Sequence, residues 1–245
     1  MPTFFVASEA IVPPTVRITG PLLQHLRASL RLQPGELLTV TDERGTRYRA
    51  EIAEVSSRTL IGRILDTTSA PPTTCPSIVL AQSLLKGEKM DWVIQKATEL
   101  GVARIAPVLA SHSVVRPRAD RIEHQLARWQ RIALEAAQQS ERWSVPLIDE
   151  PVTIPELLAR SKAAASKIVL AERSGGTSLT TVPLPGAGDE IWLLIGPEGG
   201  WDEEEMRQVL QHGFIAVTLG RRILRAETAA IAAMSVLQSR LGELG

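Results

Sequence analysis

Two short segments hold most of the residues that could do chemistry. The first is Ile195-Gly196-Pro197-Glu198-Gly199-Gly200, with three glycines and one carboxylate directly after an apolar run. Glycines let a ligand come close to the main chain, and Pro197 stiffens the turn. A carboxylate in such a loop opposes phosphate and suits hydroxyls, amines or a cation. The phosphate-cradling patterns G-x-G-x-x-G and G-x-x-x-x-G-K-[ST] are both absent. A tight strand-to-helix turn that carries a glutamate fits the same residues. The second segment is Leu219 to Ala229 (LGRRILRAETA), which also follows an apolar strand and opens a helix. Arg225, Glu227 and Thr228 gather polar groups there. An arginine at a helix N-terminus opposes the helix dipole, which points to a role for Arg225 outside helix stability. Capping by Thr228 or Glu227, with solvated arginines, is the equal alternative.

Two further segments are weaker. Gln82 to Asp91 carries Lys86 and Lys89, which could bind phosphate or be solvated, and Ser111 to Arg116 is similar. His25, His112, His124 and His212 show no metal-ligand spacing among themselves or with Cys75. No G-x-S-x-G elbow is present. Trp129, Trp143 and Trp192 read as core or interface, and Trp201, next to the glycine loop, stays open.

The elements that must position these groups fall into two blocks. Residues 4–6, 15–18, 37–40, 48–52 and 59–64 read as strands, with a short helix at 21–30. This predicts a small β-barrel or sandwich over residues 1–70. Asp66 to Ser77 is polar and proline-rich and reads as a connection, with the linker proper at 71–77. From 78 to 245 strand and helix alternate: strands at 78–81, 104–109, 167–171, 190–195 and 214–219, helices at 88–100, 121–139, from Asp202 to Gly213, and 227–241. Asp202 with Glu205 predicts a capping box. The alternation predicts an α/β domain with a mostly parallel sheet.

Charge narrows the partners. The chain has 27 basic and 27 acidic residues among 245, so a nucleic-acid footprint must be local. Residues 82–131 hold nine bases against five acids, while 189–205 hold seven acids and no base. Charge alone favours solvated helix faces over a phosphate-binding stripe. One cysteine, Cys75, fits a reducing compartment, and no apolar run reaches membrane-spanning length. A cytoplasmic protein is expected.

The segments QSLLKGEKMDWVIQKATELGV (82–102), RWQRIALEAAQQSER (128–142), LLIGPEGGWDEEE (193–205) and LGRRILRAETAAI (219–231) together resemble the RsmE family. These are 16S ribosomal RNA (uracil-N3)-methyltransferases of the SPOUT superfamily. The N-terminal stretches 1–6 and 25–45 resemble the family's PUA-like RNA-binding domain, with threonine at position 3 where a basic residue is frequent. The resemblance implies a deep trefoil knot in the C-terminal domain, a homodimer, and S-adenosyl-L-methionine as cofactor. The substrate it implies is a specific uridine, methylated at N3, in the decoding region of 16S rRNA of the assembled small subunit. No metal or membrane is implied.

Carried onto this sequence, the cofactor loops fall at Leu170 to Glu172, at Ile195 to Gly200 (Ile195, Gly196, Pro197, Glu198, Gly199, Gly200), and at Leu219, Gly220, Ile223, Leu224, Arg225, Thr228 and Ala229. The first of these has no signal in the residues themselves. Uridine N3 must lose a proton to attack, so a base or a cation for the developing enolate is required. Arg225 is the expected stabiliser and Glu198 the expected base, with Glu227 and Glu172 as alternatives. Arg27, Arg31, Lys86, Lys89 and Arg116 are the expected RNA contacts. A non-catalytic ribosome-assembly factor of the same fold is the alternative function. A nucleotide-dependent metabolic enzyme is a more distant one, opposed by the missing phosphate fingerprint.

Overall fold

The structure, a computed structural model, describes residues 3–115, 119–171 and 177–244. The chain forms two compact units, Met1–Pro72 with Ala137–Ser144, and Thr73–Ala136 with Val145–Gly245.

The first unit holds β1 (Thr3–Val6), β2 (Ile11–Val12), β3 (Thr15–Ile18), α1 (Gly20–Ala28), β4 (Leu37–Asp42), β5 (Thr46–Val55) and β6 (Leu60–Ser69). They form one six-stranded sheet in the order β1-β4-β5-β6-β3-β2. Among the described residues only β1–β4 is parallel. Alternation along the strands buries Val16, Ile18, Leu38, Val40, Ala50, Ile52 and Leu60 with Leu23 and Leu26 of α1. Gly62 belongs to this core, since a Cβ there would stand 2.9 Å from Val16. β6 runs on through Asp66–Ser69, where the polar composition pointed to a connection. These residues pair with Thr46–Arg49 of β5, because polar side chains on an exposed strand face leave the backbone ladder intact. Residues 137–144 join this unit: the Arg47 guanidinium lies 3.9 Å from the Trp143 ring centroid and donates to the carbonyl of Glu141 at 2.9 Å.

The second unit holds β7 (Ser77–Ser83), α2 (Lys89–Glu99), β8 (Arg104–Leu109), α3 (Ala119–Gln139), β9 (Leu147–Ile148), β10 (Val152–Thr153), α4 (Ile154–Arg160), β11 (Ser166–Leu170), β12 (Thr177–Ser178), β13 (Glu190–Ile195), α5 (Glu203–Gln211), β14 (Ile215–Thr218) and α6 (Ala226–Arg240). Among the described residues the sheet runs β10-β8-β7-β13-β11-β14-β12, with β9 also on β8, and every pair is parallel. The central strands are buried on both faces, hence their unbroken apolar runs. In β13, Ile191, Leu193 and Ile195 face one core with α2, α3 and α6, while Trp192 and Leu194 face another with α4 and α5. Trp129 and Trp192 are core residues, as expected.

One local expectation changes. Asp202 caps α5, its carboxylate accepting from the amides of Glu204 and Glu205, but the reciprocal half of the box is not made. The Glu205 carboxylate instead accepts from the Ser111 amide at 2.8 Å. The complete capping box stands at α4, where Thr153 and Glu156 satisfy each other's backbone. There Glu156 is held below the usual carboxylate range by the Thr153 amide first, then the Thr153 hydroxyl. No helix among the described residues is long and apolar enough to cross a membrane.

Candidate functional site

The ends of β11, β13 and β14 converge on one cavity of about 780 Å³. It sits beyond the carboxyl ends of parallel strands, where open α/β sheets bind ligands. Of the residues expected at the cofactor, Leu170, Ile195, Gly196, Pro197, Glu198, Gly199, Gly200, Leu219, Gly220, Ile223, Leu224 and Ala229 all line it. Arg225 and Thr228 are exposed and do not belong to its wall. Glu172 lies outside the described residues. Sequence reasoning did not assign Trp201, Glu203, Met206, Arg207, Leu210, Val217 or Arg222 to the cofactor, and these also line the cavity. The periodicity of α5 was the available signal, since Met206 and Leu210 share a face four residues apart.

The glycine loop is wedged from both sides. The Trp201 indole N–H donates to the Leu170 carbonyl at 3.0 Å, which lays the ring beneath Gly196. A Cβ on Gly196 would stand 2.9 Å from Trp201 Nε1, and one on Gly199 would stand 2.9 Å from His112 Cβ and 3.2 Å from the His112 carbonyl oxygen. Gly200, at φ +76°, turns the chain toward α5. His112 Nδ1 lies 3.2 Å from the Gly200 carbonyl oxygen. His112 is therefore a buttress of the glycine loop and Ser111 a tie to α5, and Arg116 lies outside the described residues.

The second loop is held lightly. Thr218 Oγ1 donates to the Gly220 carbonyl at 3.1 Å and accepts from the Gly220 amide at 3.2 Å. Ile223 is 62% exposed. Arg225 is itself the N-cap of α6, without a side-chain cap bond, so neither Thr228 nor Glu227 caps the helix. Both lie inside its first turn, because Arg225 adopts the extended backbone that a cap requires and the helix starts at Ala226.

At the lip of the cavity, charges from three elements meet. The Lys89 ammonium lies 2.5 Å from Glu198 Oε1 and 3.8 Å from Glu227 Oε1. Glu227 Oε2 is buried with no hydrogen-bond partner. The bond to Glu198 raises the Lys89 ammonium above its ordinary range, opposed chiefly by desolvation and least by the charge of Arg225. Of the three expected catalytic groups, Glu198 and Glu227 are thus brought together by Lys89, while Arg225 makes no side-chain cap bond and stays exposed. Lys89, expected on RNA, is engaged within the protein, while Lys86 is exposed. In the first unit, Arg27 and Arg31 are exposed, and Arg27 also donates to the Ser57 carbonyl. A second cavity of about 550 Å³ adjoins Lys89 and Glu227, bordered by Trp92, Gln95 and Ile132. No metal-holding cluster of His, Cys, Asp or Glu occurs among the described residues.

The RNA methyltransferase domain model matches residues 72–238 and the RNA methyltransferase PUA domain model matches residues 18–65. A ribosomal RNA small subunit methyltransferase E from Synechocystis is 33% identical over 241 residues, covering 96% of this chain and 77% of that protein. The chain belongs to the ribosomal RNA small subunit methyltransferase E family. Among solved structures, the family member from Neisseria gonorrhoeae, bound to S-adenosyl methionine, superposes with TM-score 0.87 at 33% identity, covering 98% of each chain. A Legionella pneumophila protein in complex with the bound cofactor SAM superposes with TM-score 0.88 at 31% identity, covering 97% of each chain.

Proposed function

We propose that this chain transfers a methyl group from S-adenosyl-L-methionine, bound in the 780 Å³ cavity, to N3 of a specific uridine in the decoding region of 16S rRNA. In this reading it acts as a cytoplasmic homodimer on the assembled small subunit. Its C-terminal domain, residues 78–245, carries the knotted cofactor site, and residues 1–70 carry the RNA-binding barrel, joined through 71–77. The carrying observation is the cavity at three strand ends, with Glu198 on its wall and joined through Lys89 to Glu227, in a chain of this family.

The residues present fit the cofactor. Ile195, Pro197, Val217, Leu219 and Leu224 give an apolar wall for a flat ring. Glu198 and Glu203 complement cationic groups, and Arg207 and Arg222 complement a carboxylate. When bound, the cofactor supplies an electrophilic methyl group on a sulfonium. The protein's part is to position the base and to remove the N3 proton. Glu198 receives that proton, with Glu227 as the alternative, and Arg225 offsets charge developing on the imide oxygens. Extrusion of the uridine from its stack exposes N3, its pairing edge. Arg27, Arg31, Lys86 and Arg116 hold phosphates.

The test is methyl transfer from labelled S-adenosylmethionine to small subunits that lack the modification, read by nucleoside mass spectrometry. One new N3-methyluridine is expected. No incorporation with cofactor binding intact would sink this reading and leave the assembly factor. Arg225→Ala is expected to abolish turnover while the fold survives.

A further inference from the structure

Lys89 joins three segments that are remote in sequence. It is the first residue of α2, yet its ammonium reaches Glu198 in the loop after β13 and faces Glu227 in the first turn of α6. A lysine there opposes the dipole of α2, so its own helix does not account for it. The three side chains are partly withdrawn from water, at 38%, 23% and 14% exposure for Lys89, Glu198 and Glu227. Without the ammonium, two carboxylates would face each other across the lip of the cavity, and like charges at close range repel. Glu227 Oε2 has no hydrogen-bond partner of its own to absorb that change. The Gly196–Gly200 loop would then lose its tie to α2, while its ties to Trp201 and His112 remain.

We propose that Lys89 is a positioning residue for methyl transfer, holding Glu198 and Glu227 in register at the lip of the cavity, and not a phosphate contact. The kinetic part of this inference rests on the function proposed above. The structural part does not.

The experiment uses the full chain as Lys89→Met, Lys89→Arg, Glu198→Gln and the Lys89→Met/Glu198→Gln double variant. Hydrogen exchange of the 195–206 segment is measured first, without RNA or cofactor. Faster exchange in Lys89→Met, returned toward wild type in Lys89→Arg, is expected. Unchanged exchange overturns the proposal, even for a protein that methylates nothing. Should Lys89→Met not fold, Glu198→Gln breaks the same ion pair and is read the same way. Kinetics on small subunits follow. Lys89→Met should lower kcat roughly tenfold to a hundredfold, the scale of a misplaced catalytic group, with KM for the subunit unchanged. The double variant should be no slower than Glu198→Gln, because Lys89 acts through that carboxylate. A raised KM, unchanged kcat and a salt slope smaller by about one would mark Lys89 as a phosphate contact instead. Wild-type protein that transfers no methyl group defeats the functional reading alone, and hydrogen exchange still decides on Lys89.

Discussion

The two loops of the cavity do the same topological job and are built in opposite ways. Each leaves a parallel strand and opens a helix, β13 into α5 and β14 into α6. The Gly196–Gly200 loop is fixed by Trp201, His112, Lys89 and the Asp202 cap, and two of its glycines leave no room for a methyl group. The Gly220–Arg225 loop is tied by one threonine, leaves Ile223 largely exposed and ends in an uncapped arginine. One wall is preorganised by protein contacts, which lowers the ordering cost of binding. The other presents apolar surface that a ligand or a partner would cover. Side-chain substitutions in the first wall should therefore destabilise the fold, and those in the second should cost binding, its positive-φ glycine excepted.

The sharpest test is Gly199→Ala. The new methyl group meets His112 Cβ at 2.9 Å and its carbonyl oxygen at 3.2 Å, neither of which can swing away, so a loss of about 1–3 kcal/mol is expected in denaturant unfolding. A stability equal to wild type would break the comparison. Next is Gly220→Ala. Nothing lies within 4 Å of the added Cβ, yet φ is +116°, so the cost is backbone strain alone, about 1 kcal/mol or somewhat more. Asp202→Ala removes the α5 cap and should cost about 1 kcal/mol by the same measurement.

Ile223→Ala should change stability by less than about 0.5 kcal/mol, as for an exposed position, while weakening S-adenosylmethionine binding in calorimetry. Loss of stability without loss of binding would reverse the assignment of the two walls. The smallest effect is acid dependence on the α5 side. Arg207 first, then Gln208, holds the Glu204 carboxyl below its ordinary range. A folded-state pKa below the unfolded one stabilises above the unfolded value, and the contribution disappears as pH falls through the folded value. The difference in Tm between wild type and Glu204→Gln should therefore be present at pH 6 and begin to shrink only as pH falls below about 4, the ordinary glutamate range.

Long apolar periods carried the fold into view. The unbroken runs of β7 and β13 and the stripes of α2 and α3 were legible because burial on a sheet or a helix face repeats with a fixed period. Short elements were not. β9, β10, β12 and α4 are two to seven residues long, too short for a period to register, although the Thr153–Glu156 capping box at α4 was there to be read. The site divides in the same way. Gly196, Glu198 and Arg225 stood out as unusual residues at strand ends, while Leu170 and Met206 are ordinary apolar residues until the fold places them on the cavity wall.

The sequence by itself determined what is local: strands, helices, caps, and the residue types of two loops able to hold a ligand. It also carried the family motifs, since those are runs of adjacent residues. Only the tertiary structure decided which distant groups meet. Lys89, an expected RNA contact, pairs with Glu198, and His112 wedges against the glycine loop. The reason is physical: local propensity acts over a few residues along the chain, whereas an ion pair or a steric wedge acts over a few ångströms in space, and the parallel sheet order alone brings those segments within reach.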